Sequence, residues 1–146
     1  MAGWRVWAEL RRRDHVDLAW AFLGGHRGRI EQLSNGRRRI VLDARLTRLD
    51  RRAVLAHELV HDERGIFFTN ATPLALIAKE EAYVIAETVR RLVPTDELAA
   101  RTRRAVADGC SVDWRDVAEW FGVPREVAER ALLRLAGDPM FRRMRE

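Results

Sequence analysis

One seven-residue stretch constrains this chain more than any other: Ala56-His57-Glu58-Leu59-Val60-His61-Asp62. It lies in a segment with helical periodicity, and on a helix residues four apart share a face. His57 and His61 can then aim both imidazoles at one cation. Glu58 sits beside them, a carboxylate able to take a proton from water. Two of the four histidines in the chain are spent here, in otherwise apolar surroundings. Three polar side chains in such a setting are costly unless something pairs with them. The spacing therefore points to a metal site, and the helix carrying it is expected to be buried, because Ala53, Val54, Leu55, Leu59 and Val60 leave it few polar sides.

The ends of that helix are legible. Thr47-Arg48-Leu49-Asp50 reads as a capping box, and Gly65 supplies a C-cap, so the helix should span about 48–63. Upstream, Trp4, Trp7 and Leu10 are spaced for a short helix. Val16, Leu18, Trp20 and Phe22 alternate, as on a strand with one buried face. Arg29–Leu33 and Arg39–Asp43 read as two further strands, joined by a tight turn at Asn35-Gly36. The simplest assembly is a three-stranded antiparallel sheet. Downstream, a loop over 65–73 precedes a helix over 74–92 that stops before Pro94. Shorter helices are expected from Thr95 to Asp108, from Asp113 to Phe121 and from Pro124 to Ala136, with a frayed tail from Arg142 to Glu146. The expected class is α+β, a single domain over 1–146: helix and sheet in 1–44, motif helix 48–63, helix 74–92, and C-terminal helices within 95–137.

Composition narrows the setting. No apolar run approaches the length of a membrane span, and the N-terminus lacks the pattern of a signal peptide. Cys110 is the only cysteine, so no internal disulfide can form, which suits a reducing cytoplasm. The net charge of +5 comes almost wholly from arginine, Lys79 being the one lysine. That bias reads mainly as an imprint of GC-rich coding. Arg11-Arg12-Arg13 and Arg37-Arg38-Arg39 are the places where an electrostatic role toward nucleic acid could still hold.

A catalytic zinc takes three protein ligands and keeps a fourth position for water. No histidine follows His61, so a third ligand has to be a carboxylate, and the helix over 74–92 offers Glu80, Glu81 and Glu87. Glu87 has Arg90 and Arg91 three and four residues on, as in a surface ion pair. Glu81 is flanked four residues away by Ile77 and Ile85, a setting in which a carboxylate needs a partner; Glu80 has Leu76 and Val84 in the same places. That contrast favours Glu81.

These residues resemble the ImmA/IrrE family of metallo-endopeptidases. The similarity runs through Leu55-Ala56-His57-Glu58-Leu59-Val60-His61, then Glu81-Ala82-Tyr83-Val84-Ile85, closing at Leu92-Val93-Pro94, and takes in the strand Ile40-Val41-Leu42-Asp43. Counting back from Pro94, the family's liganding glutamate falls on Glu81. The family's Ala-Asn is Val84-Ile85 here, and its Phe-Ala is Glu87-Thr88; Asp62 or Asp43 could take over the support such an Asn gives. The resemblance implies a zincin-like domain in which His57, His61 and Glu81 hold zinc, Glu58 is the general base and Tyr83 is a possible oxyanion stabiliser. It also implies a cytoplasmic endopeptidase acting on a helix-turn-helix repressor of a phage or mobile element.

Another class of function competes: a metal-binding regulator that binds DNA or a repressor without cutting it. Asp116–Val127 has the shape of a helix-turn-helix, a short helix, a turn at Gly122 and a second helix after Val123-Pro124. The second helix presents Glu126 and Glu129 beside Arg125 and Arg130, a poor surface for phosphates, so the pair is expected to close the core around Trp114, Trp120 and Phe121.

Overall fold

Arg38–Asp43 carries an unbroken apolar run, Ile40-Val41-Leu42, and in the computed structural model, which describes residues 3–143, all three are buried. A strand apolar on both faces belongs in the middle of a sheet. The chain builds that sheet from β1 (Val16–Ala21), β2 (Gly28–Gln32) and β3 (Arg38–Asp43), in the order β1-β3-β2. β2 and β3 form the expected antiparallel hairpin, with Ile30 opposite Ile40, and Gly36 takes the positive φ of its turn. β1 runs parallel to β3, Leu18 opposite Ile40. The sheet is therefore mixed, and the antiparallel expectation is corrected. An antiparallel meander would leave β3, the most apolar strand, at an edge; carrying the chain across through residues 22–27 centres it instead. The alternation in β1 does not mark one buried face either. Val16 is buried, but Trp20 and Phe22 are 45% and 76% exposed.

The chain divides into two compact units, and the first is Arg5–Thr88. It holds α1 (Val6–Arg12), the sheet, α2 (Arg48–Arg64) and most of α3 (Leu74–Leu92). α2 begins where Thr47 accepts a hydrogen bond from the Asp50 backbone N–H, and it ends at Gly65, whose φ of 65° closes the last turn onto the His61 carbonyl. Its inner side, Ala53, Leu55, Ala56, Leu59 and Val60, is buried, as the sequence requires. α2 packs closely on α1, β2 and β3. Contact with β2 is tight at Gly28, where an added Cβ would lie 2.6 Å from Cγ1 of Val54.

The second unit runs from Val89 and takes in the residues up to Trp4. It contains the last turn of α3, α4 (Thr95–Ala107), α5 (Trp114–Phe121), α6 (Arg125–Gly137) and α7 (Pro139–Arg143). α5 opens with a capping box between Asp113 and Asp116, and Gly122 ends it in the left-handed region. The α5–α6 pair buries Val117, Phe121, Val123, Ala128, Ala131 and Leu135. Trp114 and Trp120 lie at its rim under arginines: Arg115 and Arg125 over Trp114, Arg101 over Trp120. α7 takes in Arg142 and Arg143, the first two residues of the expected frayed tail; the remainder of that tail, 144–146, lies outside the described residues. No helix among the described residues is long and apolar enough to cross a membrane.

Gly28→Ala should destabilise the protein by about 1–3 kcal/mol through overpacking against Val54. Val54→Ala in the same chain should recover most of that loss, as read by denaturant unfolding of the single and double variants. Additive losses would contradict the contact.

Candidate metal centre

α2 presents His57 and His61 one turn apart, and α3 brings Glu81 to them. Nε2 of His57 lies 2.7 Å from Oε1 of Glu81, Nε2 of His61 lies 3.0 Å from Oε2, and the two ring nitrogens are 3.2 Å apart. These three side chains form the one cluster of potential metal ligands among the described residues. Hydrogen bonds account for both contacts to the carboxylate, but they leave two N–H groups facing each other. A cation shared by three lone pairs satisfies all three atoms at once. A tetrahedral site with bonds of about 2.0–2.1 Å needs ligand atoms about 3.3 Å apart, close to the spacing here. The donor set fits a metal ion.

Electrostatics follow the geometry. Hydrogen bonds from His57 and His61 hold the Glu81 carboxyl far below the usual carboxylate range. Burial pushes Glu58 up. His61 is raised: burial opposes its charge, but the hydrogen bond to Glu81 and the nearby Glu58, Glu81 and Glu80 carboxylates outweigh it. His57, Glu58, His61 and Glu81 open onto a cleft of about 380 Å³, whose other walls are Gly28, Arg29 and Ile30 of β2, Ile66, Phe67 and Phe68 of the following loop, and Ile77 of α3.

The two neighbouring glutamates of α3 have separate partners. Glu80, the more buried of the two, receives two hydrogen bonds from Arg64, of 2.8 and 2.9 Å, while the Glu81 side chain is 44% exposed at the cleft. The burial contrast drawn from sequence is thus reversed: Glu81 reaches the histidines from a half-open position. Glu87 does not line the cleft. Nor does Tyr83, whose ring lies under the Arg64 guanidinium at 4.1 Å.

Asp62 faces away from the cleft. Its side chain, 2% exposed, accepts hydrogen bonds from Arg13, His15 and Arg38. Arg13 also donates to the Leu59 carbonyl, and Arg38 to that of Asp62, one of the carbonyls that the last turn of α2 leaves without a helical partner. Burial opposes the Asp62 charge, but the bonds from Arg38, His15 and Arg13 hold its pKa below the ordinary value. Asp43 instead accepts from the backbones of Leu23 and Arg45 at the end of β3. These partners lie 24–49 residues from Asp62, and no local pattern in the sequence signals them.

Five arginines of the two runs have acidic partners. Arg37 pairs with Asp17, Arg38 with Asp62, Arg39 with Glu31, and Arg12 and Arg13 with Glu9. On α6, Arg125 pairs with Glu129 and Arg130 with Glu126, so the face a helix-turn-helix would turn to DNA carries neutralised pairs.

A helix offering two histidines one turn apart, with a carboxylate from the next helix, is a possible metal-binding site. The chain belongs to the peptidase family described as the IrrE N-terminal-like domain, whose model matches residues 11–133. The match bears out the family resemblance drawn from the motif residues. No curated protein and no solved structure gives a match.

Asp62→Asn should cost about 2–4 kcal/mol of stability by removing the charge that three donors surround. Because the folded pKa lies below the unfolded value near 3.9, the carboxylate's contribution is complete above about pH 5 and is lost as pH falls through the folded value. Unfolding curves of wild type and variant should converge between pH 5 and about pH 2; a constant gap across that range would contradict the assignment.

Proposed function

We propose that this chain is a zinc-dependent endopeptidase of the cytoplasm, with His57, His61 and Glu81 as ligands and Glu58 as general base. The convergence of Nε2, Nε2 and a carboxylate oxygen carries the reading. Two nitrogen donors and one oxygen donor suit zinc, and a fourth position open to a cleft is what a catalytic site needs. Bound there, zinc supplies Lewis acidity, polarising the scissile carbonyl and making water a better acid.

The residues of the chain do the rest. Glu58 follows His57 on α2, is buried, and lines the same cleft. Its raised pKa makes it the stronger base: it takes the proton of the attacking water and returns it to the leaving amine. β2 has a free edge at the cleft. The bonds Asp43 N–H to Arg27 O and Leu33 N–H to Arg37 O fix odd positions of β2 toward β3, so the N–H and C=O groups of Gly28 and Ile30 point outward. An extended peptide can pair there. Ile66, Phe67 and Phe68 are 41%, 36% and 37% exposed, and Leu74, at the start of α3, is 82% exposed. Exposed apolar walls beside a reactive centre suit a protein substrate with bulky apolar side chains near the cut. By family resemblance the substrate is a helix-turn-helix repressor of a phage or mobile element.

Glu58→Gln should retain one equivalent of zinc and lose cleavage of such a repressor by at least about 100-fold; a variant cutting at the wild-type rate would remove Glu58 from the mechanism. Among model peptides, those with Phe or Leu beside the cut should be turned over at least about 10-fold faster than those with Ala or Asp, and Phe67→Ala should narrow that ratio. Equal rates for all four would argue against the apolar wall.

A further inference from the structure

Glu80 is 9% exposed, sits one residue before a candidate ligand, and takes no part in the cluster of His57, His61 and Glu81. Its partner is Arg64, in the last turn of α2, three residues after His61. Nε and Nη2 of Arg64 meet Oε1 and Oε2 of Glu80 at 2.8 and 2.9 Å, a two-pronged pair, and the carbon of the same guanidinium lies over the Tyr83 ring, 4.1 Å from its centroid. The pair therefore joins the residue after one histidine turn to the residue before the carboxylate that faces it.

This placement matters because of how α2 is held. It packs closely on α1, β2 and β3, and at its last turn the fork between Arg64 and Glu80 ties it to α3. That fork spans the two helices that carry His61 and Glu81, so it helps to set the distance between them. Two adjacent carboxylates on one helix also compete for nearby cations. With Arg64 engaged, Glu80 is neutralised and turned away, leaving Glu81 to face the imidazoles.

We propose that Arg64, Glu80 and Tyr83 form a clasp that positions Glu81 as the third ligand and selects it over Glu80. The clasp rests on the metal-site reading above, and its role is in positioning, since none of its members touches the reacting atoms.

Zinc affinity of the full chain, measured by competition with a chromophoric chelator, tests it in a double-mutant cycle. Arg64→Gln and Glu80→Gln should each weaken zinc binding by about 10-fold or more, and the double variant should be no weaker than the worse single one. Arg64→Lys, which keeps the charge without the two-pronged fork, should lose part of the affinity with an unchanged melting temperature. Single variants within twofold of wild type, or losses that multiply in the double variant, would overturn the clasp. So would lower melting temperatures with wild-type affinity, because a purely structural pair would behave that way. A wild-type chain that takes up no zinc, or a His57→Ala chain that takes up as much as wild type, would instead overturn the metal site and the clasp with it. Wild-type binding with unaffected clasp variants isolates the failure to the clasp.

Discussion

Two imidazole nitrogens and the two oxygens of one carboxylate meet at 2.7–3.2 Å, and the first unit of this chain is arranged around keeping them there. Imidazole pairs one turn apart are useful only on a helix that neither frays nor rotates. α2 is anchored at Thr47 and Gly65, buried along Leu55, Ala56, Leu59 and Val60, and tied at its last turn through Asp62 to α1 and the sheet. Each device removes a freedom that would otherwise spread the histidines. The polar ties cluster at the C-terminal end, where a helix leaves its carbonyls unpaired. His61 lies in that turn.

Within this frame Glu58 and Glu81 are carboxylates in contrasting surroundings. Glu58, buried with few compensating donors, is pushed toward the neutral form; Glu81, facing both imidazoles, is held strongly ionised. One is thereby suited to exchanging a proton and the other to holding a charge, although both belong to the same cleft. Glu80, one residue from Glu81, is neutralised by Arg64.

Much of this was legible in the sequence where the cause is local. The cap at Thr47, the stop at Gly65, the hairpin at Asn35-Gly36 and the boundaries of α3 all follow from residues within a few positions of the event they govern. Glu81 was reached from the motif and the family pattern, while the burial contrast used beside them had the two glutamates the wrong way round. Helical spacing gives faces; it does not say which face a second helix covers. The sheet order failed for a similar reason. β1 and β3 pair across an intervening strand, and only the unbroken apolar run of Ile40-Val41-Leu42, read as a central strand, would have pointed to it. The Asp62 network and the Arg64–Glu80 pair join residues far apart in the chain, and single charged residues look alike in sequence whether they end in solvent or in a buried fork.

The central claim is that His57, His61 and Glu81 together hold zinc. Anomalous diffraction at the zinc edge, from crystals of protein purified without chelator, tests it most directly. One peak within about 2.0–2.2 Å of Nε2 of His57, Nε2 of His61 and a carboxylate oxygen of Glu81 is the expected result. A peak on other side chains, or full metal occupancy with Glu81 turned away, would contradict it.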